Sequence, residues 1–176
     1  MSLLGAEGAG VLGLQRSVGN RATARLLAAG PAGDRLPAGL RTYLSRSRGG
    51  GSPLQRDARE RLEHSFGREL GQVRVHAGPE AAWAARSVRA RAFAFGNDIW
   101  FGAGEYRPDD PAGRHVLAHE VAHTLEQPAA APLDHVRIAP ANHPAETRAD
   151  HAAQAVCAHA RGRVLPEPRR QRHRRD

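Results

Sequence analysis

Residues 115–127 read HVLAHEVAHTLEQ and hold His119, Glu120 and His123 in the order H-E-x-x-H. On a helix, positions four apart share a face one turn from each other, so both imidazoles can reach one divalent ion. Nitrogen ligands sit about 2.0–2.1 Å from zinc. Glu120 points about 100° around the helix from His119, beside such an ion instead of onto it. That is the place for a general base that takes a proton from a water on the metal. The chemistry predicted is zinc-dependent hydrolysis of peptide bonds.

A catalytic zinc needs a third protein ligand and an open fourth position. The long motif H-E-x-x-H-x-x-G-x-x-H would put Gly at 126 and His at 129, and the chain has Glu126 and Ala129 there. The other common solution is a carboxylate from a later helix, and HPAETRAD supplies Glu146 and, four residues on, Asp150. Glu146 is expected to bind the metal and Asp150 to accept the ring N–H of one zinc histidine, fixing its tautomer. His143 and His151 compete with Glu146 for the third place. An oxyanion contact is expected from Tyr106 or His151, and the sequence leaves both open. His115 extends the row one turn further, but about 12 Å of helix rise separates it from His123, too far for one coordination sphere. It reads as a polar residue at the edge of the cleft. His64, His76, His135, His159 and His173 have no partner at ligand spacing and read as surface or core fillers. Cys157, among Ala and Val, reads as a small buried apolar residue.

These residues need elements to carry them. DDPAGRHVLAHEVAHTLEQP is predicted to be a helix capped by Asp110, opened by Pro111 and ended by Pro128. The last helix is expected from Pro144 to Gly162. Upstream, SPLQRDARERLEHSFG predicts a helix with Ser52 as N-cap, Pro53 at its first position and Gly67 as terminator. Leu54, Ala58, Leu62 and Phe66 give it one apolar stripe. QVRVHAG reads as a strand, PEAAWAARSVR as a helix begun by Pro79, and RAFAFGNDIWFG as a hairpin about a Gly-Asn-Asp turn. The strand DIWFG is expected to offer an edge to an extended substrate. Residues 14–29 can form a helix within a leader spanning 1–30, and the Gly/Pro/Ser-rich segment 31–52 reads as a flexible linker. The fold class predicted is α+β: a small zincin-like metallopeptidase domain over 53–162, with a short antiparallel sheet or hairpin and two zinc-ligand helices. A basic disordered tail is expected over 163–176.

Composition narrows the classes. In 176 residues only two Trp, two Tyr and four Phe are present, so the core should be small and rich in alanine helices. No apolar run reaches the roughly 18 residues of a membrane span. The start MSLLGAEGAGVLGL lacks basic residues and carries Gly and Glu in its apolar part, so it does not read as a signal peptide, and synthesis in the cytoplasm is expected. One cysteine excludes an internal disulfide framework. The net charge is +8, and all 26 basic residues are Arg, spread along the chain apart from the terminal RRQRHRRD. Without aromatic residues interleaved with basic ones, nucleic acid ranks last among partners.

Several segments taken together resemble the core domain associated with extracellular contractile injection systems (eCIS), a bacterial family. They are the Gly-x-x-hydrophobic-x-x-VRVH segment, the ARAFAFGNDIWFG hairpin, the GEYRPD loop and the LAHEVAH helix, in that order over roughly 52–127. LQRSVGNRATARLL looks like a segment found ahead of this domain, and PAETRAD is similar to the Glu-x-x-Ala-Asp stretch that follows it. The resemblance implies a zinc-metallopeptidase-like fold and association with, or export as cargo by, a phage-tail-like injection apparatus. The family's zinc motif falls on His119, Glu120 and His123; the chain departs at Glu126, where the family usually shows Gln. Two functions follow as expectations. One is a zinc endopeptidase acting on a peptide or protein substrate. The other is a non-catalytic cargo or adaptor module of the apparatus, whose zinc only stabilises the fold.

Overall fold

The run Ala92-Phe93-Ala94-Phe95 sends small and large side chains to opposite faces of a strand, and that alternation organises the molecule. The computed structural model describes residues 23–28, 34–126, 133, 136–138 and 144–162. Strand β5 (Ala92–Phe95) turns back on β6 (Asp98–Phe101) through Gly96 and Asn97, with Ala92 opposite Phe101 and Phe95 opposite Asp98. Gly96 has φ 61°, the left-handed value a two-residue hairpin loop demands. On its other side β6 pairs in parallel with β4 (Arg74–Ala77), and β4 pairs with the short β3 (Ser52–Pro53). Beyond β5 the sheet continues through β1 (Thr23–Ala28), β7 (Val136–Ile138) and β2 (Asp34–Arg35). The sheet is mixed, in the order β2-β7-β1-β5-β6-β4-β3.

Each face of the sheet has its own core. Phe93, Phe95 and Trp100 meet Leu40 and Leu44 of helix α1 (Ala38–Ser47) and Ala81, Ala84 and Ala85 of α3 (Pro79–Ser87). Ala92, Ala94, Ile99 and Phe101 meet Ala58 and Leu62 of α2 (Arg56–Phe66) and Val116, Leu117, Ala118 and Val121 of α4 (Pro111–Glu126). Ala153 of α5 (Pro144–Gly162) closes this second layer. The small side chains of β5 lie on the side of α4, where they let the helix approach the sheet. The molecule is α+β, as the sequence predicts. Among the described residues no helix is long and apolar enough to cross a membrane.

Helix α4 starts where Asp110 was expected to cap it. Its Oδ1 accepts hydrogen bonds from the backbone N–H of Ala112 and Gly113, both at 3.0 Å. These bonds, from Gly113 foremost, hold the Asp110 carboxyl below its usual range. Gly113 is required for a separate reason: a Cβ there would overlap the carbonyl oxygen of Arg107. Gly113→Ala is therefore expected to destabilise the fold by about 1–3 kcal/mol through overpacking, read as a drop in unfolding midpoint in a thermal or denaturant melt.

Four expectations are corrected. Thr23–Ala28, assigned to a leader helix, forms strand β1, because backbone partners on β5 and β7 are available to it. The segment 31–52, read as a linker, holds β2, α1 and part of β3, with Leu36, Leu40 and Leu44 buried. Ser52 and Pro53 pair with Val75 and Arg74 instead of starting a helix, and α2 begins at Arg56 after Gln55. The strand of DIWFG is interior to the sheet, flanked by β5 and β4, and has no free edge for a substrate. Gly67 ends α2 in the left-handed conformation as expected, with φ 62°. The tail 163–176 and the leader residues 1–22 lie outside the described residues.

Candidate metal centre

Helix α4 is buried along nearly its whole length from Val116 to Thr124, and with it go His119, Glu120 and His123. Packing against it, α5 brings Glu146 from its first turn. Pro144 begins α5, so Glu146 sits near the helix N-terminus, where a carboxylate is favoured by the helix dipole. The result is one buried group: His119 and Glu146 are each 2% exposed and His123 is fully buried. One ligand atom from each of the three lies within 4.8 Å of the other two, an arrangement that could hold a metal ion.

The finer distances show how tightly the three side chains converge. The Nε2 atoms of His119 and His123 are 3.1 Å apart. His119 Nε2 lies 3.2 Å from Glu146 Oε2, and His123 Nε2 lies 3.3 Å from Glu146 Oε1. Donors arranged tetrahedrally about 2.0–2.1 Å from one ion stand roughly 3.3–3.4 Å from each other. The three side chains thus converge closely enough to share one ion.

Asp150, one turn along α5 from Glu146, takes the other nitrogen of the first histidine: His119 Nδ1 and Asp150 Oδ1 are 2.8 Å apart. Asp150 Oδ1 is placed to accept the ring N–H at Nδ1, leaving Nε2 turned toward His123 and Glu146. Glu120 stands apart. Its carboxyl is wholly buried, and neither oxygen has a hydrogen-bond partner. An orphaned buried carboxyl is costly and calls for an explanation.

The charges of the group are tightly interdependent. Burial alone would lower the His119 ring, but hydrogen bonds with Asp150 and Glu146 and the carboxylates nearby outweigh it, lifting the ring to about 10. Burial pushes the Glu120 carboxyl up to about 8; His119 opposes this and Glu146 reinforces it. Glu146 runs the other way: burial would raise it, yet the hydrogen bonds from His119 and His123 hold it down at about 2.

The other candidates do not join the buried group. His151 is exposed on α5. The Tyr106 hydroxyl accepts a hydrogen bond of 3.4 Å from the backbone N–H of Gln55, and its ring leans on Phe101. His115 is half-buried on α4, with its pKa lowered first by burial and then by His119 and Arg91, against Asp150. His143 lies outside the described residues. Cys157, expected to be buried, is half-buried on α5. Glu126, at the departure from the family pattern, takes Arg148 of α5 in a two-pronged pair at 3.1 and 3.3 Å, a tie between the two helices that carry the group.

Sequence reasoning missed one polar pair. His76, read as a filler, stands 2.7 Å from Asp98, whose same oxygen accepts the Gly49 N–H at 2.8 Å. Its ring stacks on Trp100 at 4.7 Å, and Trp100 in turn on Phe93. The parallel register that sets His76 beside Trp100 and brings Asp98 near joins two strands distant in sequence, so no local pattern announced it.

Fold and site together define a small α+β domain built around a buried His-His-Glu group. Residues 53–131 of this chain match the family model of the eCIS core domain. The match ends before α5, so Glu146 and Asp150 lie beyond it. No curated protein and no solved structure matches the chain.

Proposed function

We propose that this protein is a zinc-dependent peptidase associated with a contractile injection system, with His119, His123 and Glu146 as the metal ligands and Glu120 as the acid–base residue. The observation that carries the reading is the Glu120 carboxyl: it is fully buried, unpartnered and adjacent in sequence to a ligand. A site that merely stabilises a fold gains nothing from such a group, whereas a hydrolytic site requires one. The donor set also fits, since two neutral imidazoles and one carboxylate suit zinc.

A zinc ion bound there supplies a Lewis acid that polarises a carbonyl and acidifies water. The chain's own residues do the rest. Asp150 fixes the His119 ring so that Nε2 faces His123 and Glu146. Glu120 takes a proton on its carboxylate from the attacking water and returns it to the leaving amine. The burial of Glu120, His119, His123 and Glu146 keeps bulk water away from that transfer. Export as cargo of the apparatus belongs to the same proposal, supported by the match of residues 53–131 to the eCIS core domain. A cargo or adaptor role without catalysis is the second reading, favoured by the closure of the group, whose members are 0–2% exposed.

The test is cleavage of a broad peptide library by zinc-loaded, full-length protein, with activity removed by chelation and restored by zinc. Zinc bound without any cleavage would favour the adaptor. Two further outcomes are expected. Asp150→Ala should weaken zinc binding about 10–100-fold, measured by competition with a chromogenic chelator, because the His119 ring loses its anchor. Zinc binding should also release protons. In the metal-free protein the His119 ring, at about 10, is protonated at neutral pH, and a ligand must be neutral. Affinity should therefore fall as pH falls, by about tenfold per unit for each proton displaced. Calorimetry in buffers of different ionisation enthalpy reads that proton directly.

A further inference from the structure

The proposed chemistry meets an obstacle in the structure itself. His119, Glu120, His123 and Glu146 are all 0–2% exposed, which leaves an extended peptide no way to reach them. Something that covers the group must move. Among the described elements helix α4 packs chiefly on α5, β5, β6 and β1. Of these, α5 carries Glu146, and β5 and β6 are the central hairpin of the sheet. Removing any of the three dismantles the site or the core. β1 is different. It joins β5 through only three register pairs, Thr23 with Ala92, Ala24 with Phe93 and Arg25 with Ala94. Its other neighbour, β7, joins β2, and all three strands lie outside residues 53–131, the stretch that matches the eCIS core domain. Without β1, β5 would expose a row of backbone donors and acceptors beside the metal-ligand helix, a template for any extended peptide.

We propose that the position beside β5 is the peptide-binding position of the site, and that the chain's own Thr23–Ala28 occupies it and keeps the site shut until displaced. This rests on the peptidase reading for its catalytic consequence, but the displacement itself can be read without catalysis. With β7 still paired along its other side, β1 can part from β5 at these three register pairs without unfolding the helical layer, and a substrate strand gains the same backbone bonds that β1 gives up on β5. The protein is then latent as made, with its N-terminal part as the occupant.

The test uses full-length, zinc-loaded Ala24→Pro/Leu26→Pro. Each proline removes a backbone donor and cannot sit in a paired interior strand. If β1 keeps the open form at a tenth or less of the population, three rates should each rise about tenfold or more. They are hydrogen exchange at the β5 amides facing β1, extraction of zinc by a chelator, and cleavage of the peptide library. A synthetic peptide of residues 20–30, NRATARLLAAG, added in excess should bring the first two back toward the wild-type rates and compete with cleavage. Unchanged exchange and extraction in the folded variant would overturn the proposal, as would failure of the peptide to slow them. Faster, peptide-reversible exchange and extraction with no cleavage by either form would overturn the peptidase reading and leave β1 as the cover of the metal group. If the double variant does not fold, Ala24→Pro alone is read by the same assays.

Discussion

Glu120→Gln is expected to bind zinc as the native protein does and to lose about 10²–10⁴-fold in peptide cleavage, the usual contribution of a positioned acid–base group. The substitution keeps the size and shape of a side chain that is fully buried, so the packing of α4 is preserved. It removes a titratable carboxyl that lies beside the ligands without contacting them through any hydrogen bond. The metal should therefore stay. Stability should hold, because one unpartnered buried polar group gives way to another of the same size. The pH dependence of native cleavage adds a sign: with its carboxyl pushed up to about 8 by burial, Glu120 is protonated in the metal-free site at neutral pH and becomes a base only as pH rises or as a cation lowers it. A Glu120→Gln protein with native activity would take this residue out of the mechanism.

His123→Ala should abolish zinc binding outright. His123 is fully buried, and its Nε2 stands 3.1 Å from that of His119 and 3.3 Å from Glu146, so no other described side chain can replace it in the group. The consequence is visible in stability as well as in metal content. At about a thousandfold excess of free zinc over the dissociation constant, one site bound only in the folded state stabilises it by roughly 4 kcal/mol. Zinc should raise the melting temperature of the native protein and leave that of His123→Ala unmoved. The native protein in chelator is the proper baseline, since the variant also loses packing around a buried ring. An equal zinc-induced rise in both proteins would place the ion elsewhere.

Each half of the buried polar group was legible in sequence because it is local. His119 and His123 are four apart on one helix, and Glu146 and Asp150 are four apart on another, each pair on one face. Pro111 and Asp110 marked the start of the first helix, and Pro144 that of the second. The hairpin was legible from Gly96 between two alternating runs. What sequence could not supply was pairing between distant strands. That β6 is interior depends on the parallel partner β4, more than twenty residues earlier. That Thr23–Ala28 is a strand depends on β5 and β7, far along the chain. Helix α1 is a different case: Leu36, Leu40 and Leu44 recur every fourth residue, but the Gly and Pro around them masked a stripe that the sheet buries. The pairing of Glu126 with Arg148 had no local signature either.

The most direct measurement is the zinc content and X-ray absorption spectrum of the purified full-length chain. One zinc per chain is expected, coordinated by two imidazoles and light oxygen donors, with Glu146→Ala losing the metal. A chain that takes up no zinc under saturating conditions, or one whose zinc lacks the paired imidazoles, would contradict it.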